Sequence, residues 1–283
     1  MVKELVIVGS QSGVGRTSIA MALISLLEDK IILDCTPSQN LQRFLNSATP
    51  NIVEFSSDKQ AFIELDKCME CGCCIDACKY GAISSDFIVN ELLCEGCGAC
   101  HFKCPQAAIK LEKINSAKIF EDESSAGVII SALPEVGKNY NSKLISEIRN
   151  NARIRAKKEK KILVVLSSVS LEKLDEDKFV ILVLEPSYSS VSEFKKLVPI
   201  FAKQKAKIMV CINKVDINLE ITSEIENICS ENELEIVGKI PYDLTFSRAL
   251  QEGKSIVEYD RTSSLVAKIL DIEENIKGKL NER

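Results

Sequence analysis

The stretch Leu5-Val6-Ile7-Val8-Gly9-Ser10-Gln11-Ser12-Gly13-Val14-Gly15-Arg16-Thr17-Ser18 decides the fold of this chain. Four apolar residues predict a short strand, a glycine-rich turn follows, and a helical pattern of apolar residues continues from Ile19 to Leu27. A second strand, Ile31-Ile32-Leu33, ends in Asp34. Strand, glycine turn, helix and strand make a βαβ unit, and that unit predicts a parallel sheet.

Most of the remaining chain repeats this alternation. Continuous apolar runs predict buried strands, and helical patterns lie between them; the strands are expected at 127–130, 162–166, 180–184, 208–212 and 236–237, and the helices at 142–158, 189–204, 221–232 and 263–277. Residues 58–114 interrupt the pattern. We therefore expect an α/β domain with a mostly parallel sheet, formed by residues 1–57 and 115–283, and an inserted domain over 58–114 that includes a strand at Phe87-Ile88-Val89.

Composition excludes several classes of protein. The 283 residues are 46% hydrophobic and 27% charged, with a net charge of −5, no Trp and 5% aromatic residues, so disorder and a dedicated nucleic-acid binder are disfavoured. No apolar run reaches the ~18 residues that a membrane helix needs. No secretory leader pattern is visible, and twelve cysteines then favour a reducing, cytoplasmic setting and metal ligation over disulfides.

Eight of the twelve cysteines form two similar runs. Both runs have the spacing C-x2-C-x2-C-x3-C, the first from Cys68 to Cys78 and the second from Cys94 to Cys104, at an offset of 26 residues. Such an offset indicates an internal duplication. Thiolates are soft ligands that suit iron–sulfur clusters, and in two-cluster ferredoxins the fourth cysteine of each run binds the other cluster.

The spacing therefore assigns four ligands to each of two [4Fe–4S] clusters. One set is Cys68, Cys71, Cys74 and Cys104, and the other is Cys78, Cys94, Cys97 and Cys100. Zinc sites and buried inert thiols are the alternatives, although zinc usually takes two separated pairs of ligands. We expect Cys73 to be a spare thiol and His101 an ordinary loop residue or a neighbour that tunes one cluster. The outlying Cys35, Cys211 and Cys229 are expected to be small buried hydrophobic residues.

The glycine turn at the start of the chain is a candidate phosphate loop. Such a loop has the pattern G-x4-G-K-[ST], in which glycines turn backbone N–H groups toward phosphate. Ser10 and Arg16 replace the first glycine and the lysine of that pattern. The candidate nucleotide-binding residues here are Gly13, Val14, Gly15, Arg16, Thr17 and Ser18. The alternative is a glycine turn with a purely architectural role.

Together with further motifs, this loop resembles that of the MinD/Mrp-type P-loop ATPases that carry an inserted two-cluster ferredoxin. The motifs are Asp34-Cys35, Asn40-Leu41, Ser142-Lys143-Leu144, Glu185-Pro186-Ser187, Ile212-Asn213-Lys214-Val215-Asp216 and Gly238-Lys239-Ile240-Pro241-Tyr242-Asp243. The resemblance implies a cytoplasmic dimer that binds ATP or ADP with Mg²⁺ and couples it to electron transfer or iron–sulfur chemistry. It also implies that Asn213 and Pro241 lie at the adenine base.

The chain departs from this family at the phosphate end. Gln11 and Arg16 stand where the family has lysines, and Thr36 stands where it has a second aspartate. The Asp-Gly-Pro-Pro-Gly switch expected after the strand at 162–166 is replaced by Ser167-Ser168-Val169-Ser170. Phosphoryl transfer depends on positioned cations and metal, so the sequence predicts that hydrolysis has been lost, and it predicts no catalytic residue.

Three functions are therefore open. The first is an electron-transfer module that docks a redox partner, the second an active ATPase that couples hydrolysis to low-potential reduction, and the third an assembly or carrier protein for iron–sulfur clusters. Complete ligand spacing favours the first over the third, and the altered loop favours the first over the second. The expected assembly is a homodimer, or a heterodimer with a paralogous ATPase, with no bound nucleic acid and no membrane span.

Overall fold

The structure is a computed structural model, and it describes residues 2–36, 41, 51–56, 58–124, 126–135, 142–167 and 178–281. Its described strands are β1 (Glu4–Gly9), β2 (Lys30–Cys35), β3 (Asn51–Phe55), β4 (Asp58–Ile63), β5 (Ile109–Ile114), β6 (Ala117–Ser124), β7 (Gly127–Pro134), β8 (Ile162–Ser167), β9 (Lys178–Leu184), β10 (Lys207–Asn213) and β11 (Glu235–Ile240). Its described helices are α1 (Arg16–Leu26), α2 (Cys73–Ala77), α3 (Ala99–Lys103), α4 (Ser142–Glu159), α5 (Tyr188–Phe201), α6 (Leu219–Glu231), α7 (Thr245–Gln251), α8 (Ile256–Tyr259) and α9 (Ser264–Asn281).

The chain divides into two compact units. The larger contains Met1–Asn51, Glu121–Ser131 and Ile148–Arg283, and the smaller contains Ile52–Phe120 and Ala132–Glu147. The smaller unit includes the predicted insertion at 58–114 and extends beyond it. The insertion boundaries themselves stay a prediction.

A parallel sheet forms the centre of the larger unit. Its strands lie in the order β11-β10-β9-β1-β8-β2-β7, and the pairs within this series are parallel. The interior strand β9 is buried along its whole length, as a strand covered on both faces must be. The mostly parallel α/β sheet predicted from the apolar runs is therefore confirmed.

Capping residues and one close glycine contact position the helices of the larger unit. Ser187 and Asn218 accept hydrogen bonds from backbone N–H groups in the first turns of α5 and α6, which is how such residues stabilise a helix start. Gly238 in β11 lies so close to α9 that a Cβ atom there would stand 2.2 Å from Cγ1 of Ile272. Among the described helices, none is long and apolar enough to cross a membrane.

The smaller unit contains a two-stranded antiparallel sheet and two short helices. Strand β4 pairs with β5 from Asp58 opposite Ile114 to Ile63 opposite Ile109. Helices α2 and α3 follow Gly72 and Gly98. The strand predicted at Phe87-Ile88-Val89 was wrong: only an isolated bridge between Ile83 and Val89 forms, because Phe87 has a φ of +58°, which extended backbone does not adopt.

Candidate functional site

The two cysteine runs have the same backbone conformation as well as the same spacing. Positive φ angles recur at three pairs of positions that are 26 residues apart: Glu70 and Gly96, Gly72 and Gly98, and Gly81 and Ala107. The last cysteine of each run ends a helix, Cys78 after α2 and Cys104 after α3. The internal duplication is therefore present in the three-dimensional structure of this unit.

Two cavities of the smaller unit are lined by these cysteines. One cavity is lined by Cys78, Cys94, Cys97 and Cys100, beside Ala61, Ile83 and Val89. A second cavity is lined by Cys68, Cys71, Cys74 and Cys104, together with Cys73, Ile63 and Phe87. The structure thus divides the eight cysteines between two sites in the way that the sequence spacing assigned them. Ligation itself stays a prediction.

Backbone amides donate to two sulfur atoms at equivalent positions. The N–H of Ala82 lies 3.3 Å from Sγ of Cys78, and the N–H of Ala108 lies 3.3 Å from Sγ of Cys104. Hydrogen bonds of this kind stabilise a thiolate and tune the reduction potential of a cluster bound to it. Nδ1 of His101 lies 2.5 Å from the carbonyl oxygen of Ile109, so this ring anchors α3 to β5.

The side chains that converge at both cavities are thiols, the soft ligands that suit iron–sulfur clusters. Among the described residues, no group of three or more His, Cys, Asp or Glu side chains is arranged to hold one metal ion. A zinc ion needs its donors at about 2.0–2.3 Å from a common centre, whereas a four-iron cubane spreads its four thiolates over four iron atoms. Burial raises the pKa of Cys74 and of Cys100, so ionising these thiols inside the unit calls for compensating positive charge.

The candidate phosphate loop keeps the glycine conformations that such loops need. Gly13 and Gly15 have φ angles of +86° and +91°, and Gly15 immediately precedes α1. Asn213, at the end of β10, donates from Nδ2 to the carbonyl oxygen of Val14 at 2.9 Å. A Cβ atom on Gly15 would lie only 2.2 Å from this Nδ2. The side chain of Asn213 therefore packs against the loop and stabilises it through this hydrogen bond.

The cation that replaces the loop lysine is bound by a backbone carbonyl. Nη1 of Arg16 donates to the carbonyl oxygen of Ser167 at 2.7 Å, and its buried Nε has no hydrogen-bond partner among the described residues. Burial lowers the pKa of Arg16, and the nearby Asp34 opposes that shift. Asp34 is fully buried and accepts from the N–H and Oγ1 of Thr36 at 2.9 and 2.6 Å. Burial raises the pKa of its carboxyl group.

The remaining predicted nucleotide residues lie around the same loop. Thr17 and Ser18 are half-buried in the first turn of α1, and Pro241 is half-buried directly after β11. Asn40, which carried part of the resemblance, lies outside the described residues, and so does Ser168-Val169-Ser170, where the sequence departs from the family pattern.

Sequence reasoning assigned no role to Lys214 and Glu185, which the structure places at the loop. Nζ of Lys214 donates to the carbonyl oxygen of Gly13 at 3.0 Å and to Oε2 of Glu185 at 2.6 Å. Nε2 of Gln11 lies 3.3 Å from the other carboxylate oxygen of Glu185. Both residues belong to quoted motifs, but their spacing in sequence gives no sign that β9 and β10 bring them to the loop.

Comparison with solved structures shows a MinD/ParA-like fold. The septum site-determining protein MinD of Pyrococcus horikoshii, solved with Mg-ADP, has a TM-score of 0.56 at 13% identity and covers 99% of this chain and 98% of that chain. A ParA family ATPase from Chlorobium tepidum has a TM-score of 0.55 at 15% identity over 97% of this chain and 98% of that chain.

Comparison with protein sequences adds one relative over the full length and one over a part. The chain is 28% identical to the "Uncharacterized protein MJ0578" of Methanocaldococcus jannaschii, over 98% of this chain and 97% of that protein. It is 40% identical to the "Pyruvate synthase subunit PorD" of Methanothermobacter marburgensis over 52 residues, which are 18% of this chain and 64% of that protein.

A family profile described as "CobQ/CobB/MinD/ParA nucleotide binding domain" matches residues 5–256, which include the phosphate loop and, apart from Glu4 at the start of β1, every strand of the parallel series. The chain therefore belongs to the CobQ/CobB/MinD/ParA family of nucleotide-binding domains.

Proposed function

We propose that this chain is an electron-transfer protein that carries two [4Fe–4S] clusters on a MinD/ParA-like nucleotide-binding scaffold. The observation that carries the proposal is the division of eight cysteines between two cavities, four at each. Cys68, Cys71, Cys74 and Cys104 would hold one cluster, and Cys78, Cys94, Cys97 and Cys100 the other. Such clusters accept and donate single electrons at potentials set by their surroundings.

Permanent redox clusters account for the site better than transient cargo does. Each cavity supplies at least four thiols, so every iron of a cubane would have a protein ligand and no position would be open to an acceptor. The cysteines also belong to the apolar core of the unit, where Cys74 and Cys100 pack with Ala61, Ile83 and Ile109. Release of a cluster would leave a gap in that core. The 52-residue similarity to PorD, a subunit of pyruvate synthase by its name, also supports a redox role.

The proposal includes the loss of ATP hydrolysis. Gln11 replaces the lysine of the family pattern near the start of the loop, and its amide is directed to Glu185 and Ser187. Arg16 replaces the other lysine and donates to Ser167. An arginine fork does not substitute simply for a compact ammonium group, so nucleotide would act here as a bound ligand. We propose a cytoplasmic homodimer, or a heterodimer with a paralogous ATPase, which docks a redox partner protein.

Analysis of anaerobically purified protein tests the clusters. We expect about eight iron and eight acid-labile sulfide per chain. Cys97→Ser and Cys74→Ser should each damage one cluster and leave the other detectable in the reduced protein by electron paramagnetic resonance. Cys73→Ser, at the same cavity as Cys74, is the matched control and should keep the full iron content. Zinc without sulfide would refute the assignment.

Kinetic measurements on the same preparation test the scaffold. A low-potential donor should reduce the clusters at the same rate with and without nucleotide, and ATP turnover should not exceed that of a heat-treated sample. Gln11→Lys combined with Arg16→Lys should tighten nucleotide binding with little gain in hydrolysis. Vigorous hydrolysis by the unmodified chain would favour the active ATPase instead.

A further inference from the structure

One of the two cysteine cavities is lined by a fifth thiol, which the assignment of four ligands to each cluster leaves over. Cys73 lines the Cys71 cavity, the one that also contains Cys68, Cys74 and Cys104. The position 26 residues later in the duplication is Ala99, and it lines the other cavity, the Cys97 cavity. The same position of the duplicated backbone therefore lies at both cavities, with a thiol at one and a methyl group at the other.

The start of a short helix places Cys73 beside Cys71. Gly72 stands between them with a left-handed φ of +75°, and Cys73 is the first residue of α2. The two thiols lie close enough to interact with each other, and both are exposed, whereas Cys74 is buried. Cys71 and Cys73 thus lie together at the solvent side of the cavity.

We propose that Cys73 is an alternative ligand for the cluster of the Cys71 cavity and binds the iron that Cys71 would otherwise hold. The inference rests on the cluster-binding part of the proposed function. The exchange is a ligand substitution: the iron–sulfur bond to Cys71 breaks and one to Cys73 forms, while the proton of the Cys73 thiol passes to the released Cys71 thiolate. No electron is transferred, so the exchange needs neither an oxidant nor a reductant.

The position of Cys73 limits the exchange to Cys71. Consecutive residues of a helix do not face each other, so Cys73 does not share the direction of its buried neighbour Cys74. An exposed thiolate is also the one that oxidants and alkylating agents reach first. The reserve thiol therefore stands beside the ligand that is most open to chemical loss.

The Cys97 cavity has the same exposed ligand without a reserve. Cys97 corresponds to Cys71 in the duplication and is exposed as Cys71 is. At the position that corresponds to Cys73, the methyl group of Ala99 supplies no donor. The two clusters should therefore respond differently when the exposed ligand is removed.

Removal of each exposed ligand from the full-length protein, purified anaerobically, tests this difference. Alanine is the replacement, because the hydroxyl group of serine can itself bind iron. Cys71→Ala should keep about eight iron per chain. Cys97→Ala is the matched variant, and it should lose about four iron or show the electron paramagnetic resonance signal of a three-iron cluster. Cys71→Ala combined with Cys73→Val should behave like Cys97→Ala.

Transfer of the reserve thiol to the other cavity is the converse experiment. Ala99→Cys should restore the iron content of Cys97→Ala to about eight per chain. Ala99→Val in the same background is the control, because valine fills similar space and offers no donor. Equal recovery with valine and cysteine would show that packing, and not ligation, determines the iron content, and would count against the inference.

Alkylation by iodoacetamide, measured by mass spectrometry, reports on Cys73 itself. In the unmodified holoprotein Cys73 should be alkylated, because Cys71 holds the iron and the Cys73 thiol is free. In Cys71→Ala, labelling of Cys73 should fall at least about tenfold, because a thiolate bound to iron is no longer available as a nucleophile.

Three outcomes would count against the inference. Cluster loss in Cys71→Ala, with Cys73 still open to alkylation, would overturn it and leave the assignment of eight ligands intact. Full iron content in Cys71→Ala combined with Cys73→Val would also overturn it, since the cluster would then not need Cys73. Absence of iron and sulfide from the unmodified chain would refute the inference and the cluster-binding part of the proposed function together.

Discussion

The two cysteine runs of the smaller unit and the phosphate loop of the larger unit differ in which features of their expected sites are present. At the two cysteine cavities the backbone has matching positive φ angles, and the eight cysteines of the two runs divide four to each cavity. At the phosphate loop the glycine conformations remain, while Gln11 and Arg16 replace the expected lysines. Loop conformation and loop chemistry are therefore separable, because conformation depends on glycines and close backbone packing, and chemistry depends on the side chains added to them.

The largest loss of stability is expected when Gly96, in the second cysteine run, is substituted. A Cβ atom there would stand 2.0 Å from the carbonyl oxygen of Lys59, so β4 would have to move. We expect Gly96→Ala to destabilise the smaller unit by at least about 3 kcal/mol and to lower its iron content. Urea unfolding under anaerobic conditions, followed by cluster absorbance, measures both.

Gly81→Ala is the matched control for that substitution. Gly81 has a similar φ of +59°, but nothing lies within 4 Å of its added Cβ atom. Only the strain of the left-handed backbone remains, and this costs about 1 kcal/mol. If the two substitutions cost the same, the close approach of Gly96 to Lys59 would not be a constraint on this unit.

The next effect is expected at the phosphate loop, at Gly15. The added Cβ atom of Gly15→Ala would displace Nδ2 of Asn213 from the carbonyl oxygen of Val14. We expect a loss of about 3 kcal/mol, against about 1 kcal/mol for Gly13→Ala, where nothing lies within 4 Å. Since Asn213→Ala removes the clashing atom, the double substitution should cost about 1 kcal/mol less than the sum of the single ones. Additive losses would contradict the role of Asn213 as a support.

The sequence predicted those features that depend on local pattern. Continuous apolar runs such as Val180-Ile181-Leu182-Val183-Leu184 gave the parallel strands, and cysteine spacing gave the same division of thiols that the cavities have. The apolar triplet that begins at Phe87 was wrongly predicted to be a strand, because an apolar pattern does not reveal the positive φ of Phe87. Contacts such as Lys214 with Gly13 were not predictable, since they depend on the order of β1, β9 and β10 in the sheet.

A buried thiol in the larger unit gives a pH-dependent effect. Burial raises the pKa of Cys211 from 9.0 to about 12, so between these values the unfolded chain loses a proton that the folded chain keeps. Stability is therefore full below the unfolded pKa and falls as the pH rises toward the folded one. At about pH 10.5 the loss from this thiol should reach about 2 kcal/mol.

Cys211→Ala should remove this contribution and leave that of the other buried thiols, Cys35 and Cys229, although a small cavity lowers its stability at every pH. The measurement is the slope of unfolding free energy against pH from about 8.5 to 10.5, compared with the slope for Cys73→Ser, whose thiol is exposed. An identical slope in Cys211→Ala and the unmodified chain would show that the thiol already ionises in the folded state.

The smallest effect concerns the ion pair at the phosphate loop. Lys214 and Glu185 are 25% and 15% exposed and lie 2.6 Å apart, and Lys214 also donates to Gly13. Lys214→Met should cost about 1–2 kcal/mol because it breaks a partly buried pair and a hydrogen bond to the loop. Lys196→Met breaks the exposed pair with Glu193, 2.6 Å apart, and should change stability by less than about 0.5 kcal/mol. A double-mutant cycle of Lys214→Met and Glu185→Gln should give a coupling energy between the two residues near about 1 kcal/mol. This energy should persist in high salt, since partly buried ion pairs are screened less than exposed ones. Equal effects at Lys196 and Lys214 would mean that this cation does not stabilise the loop, and the glycines would then hold its conformation without help from a charged side chain.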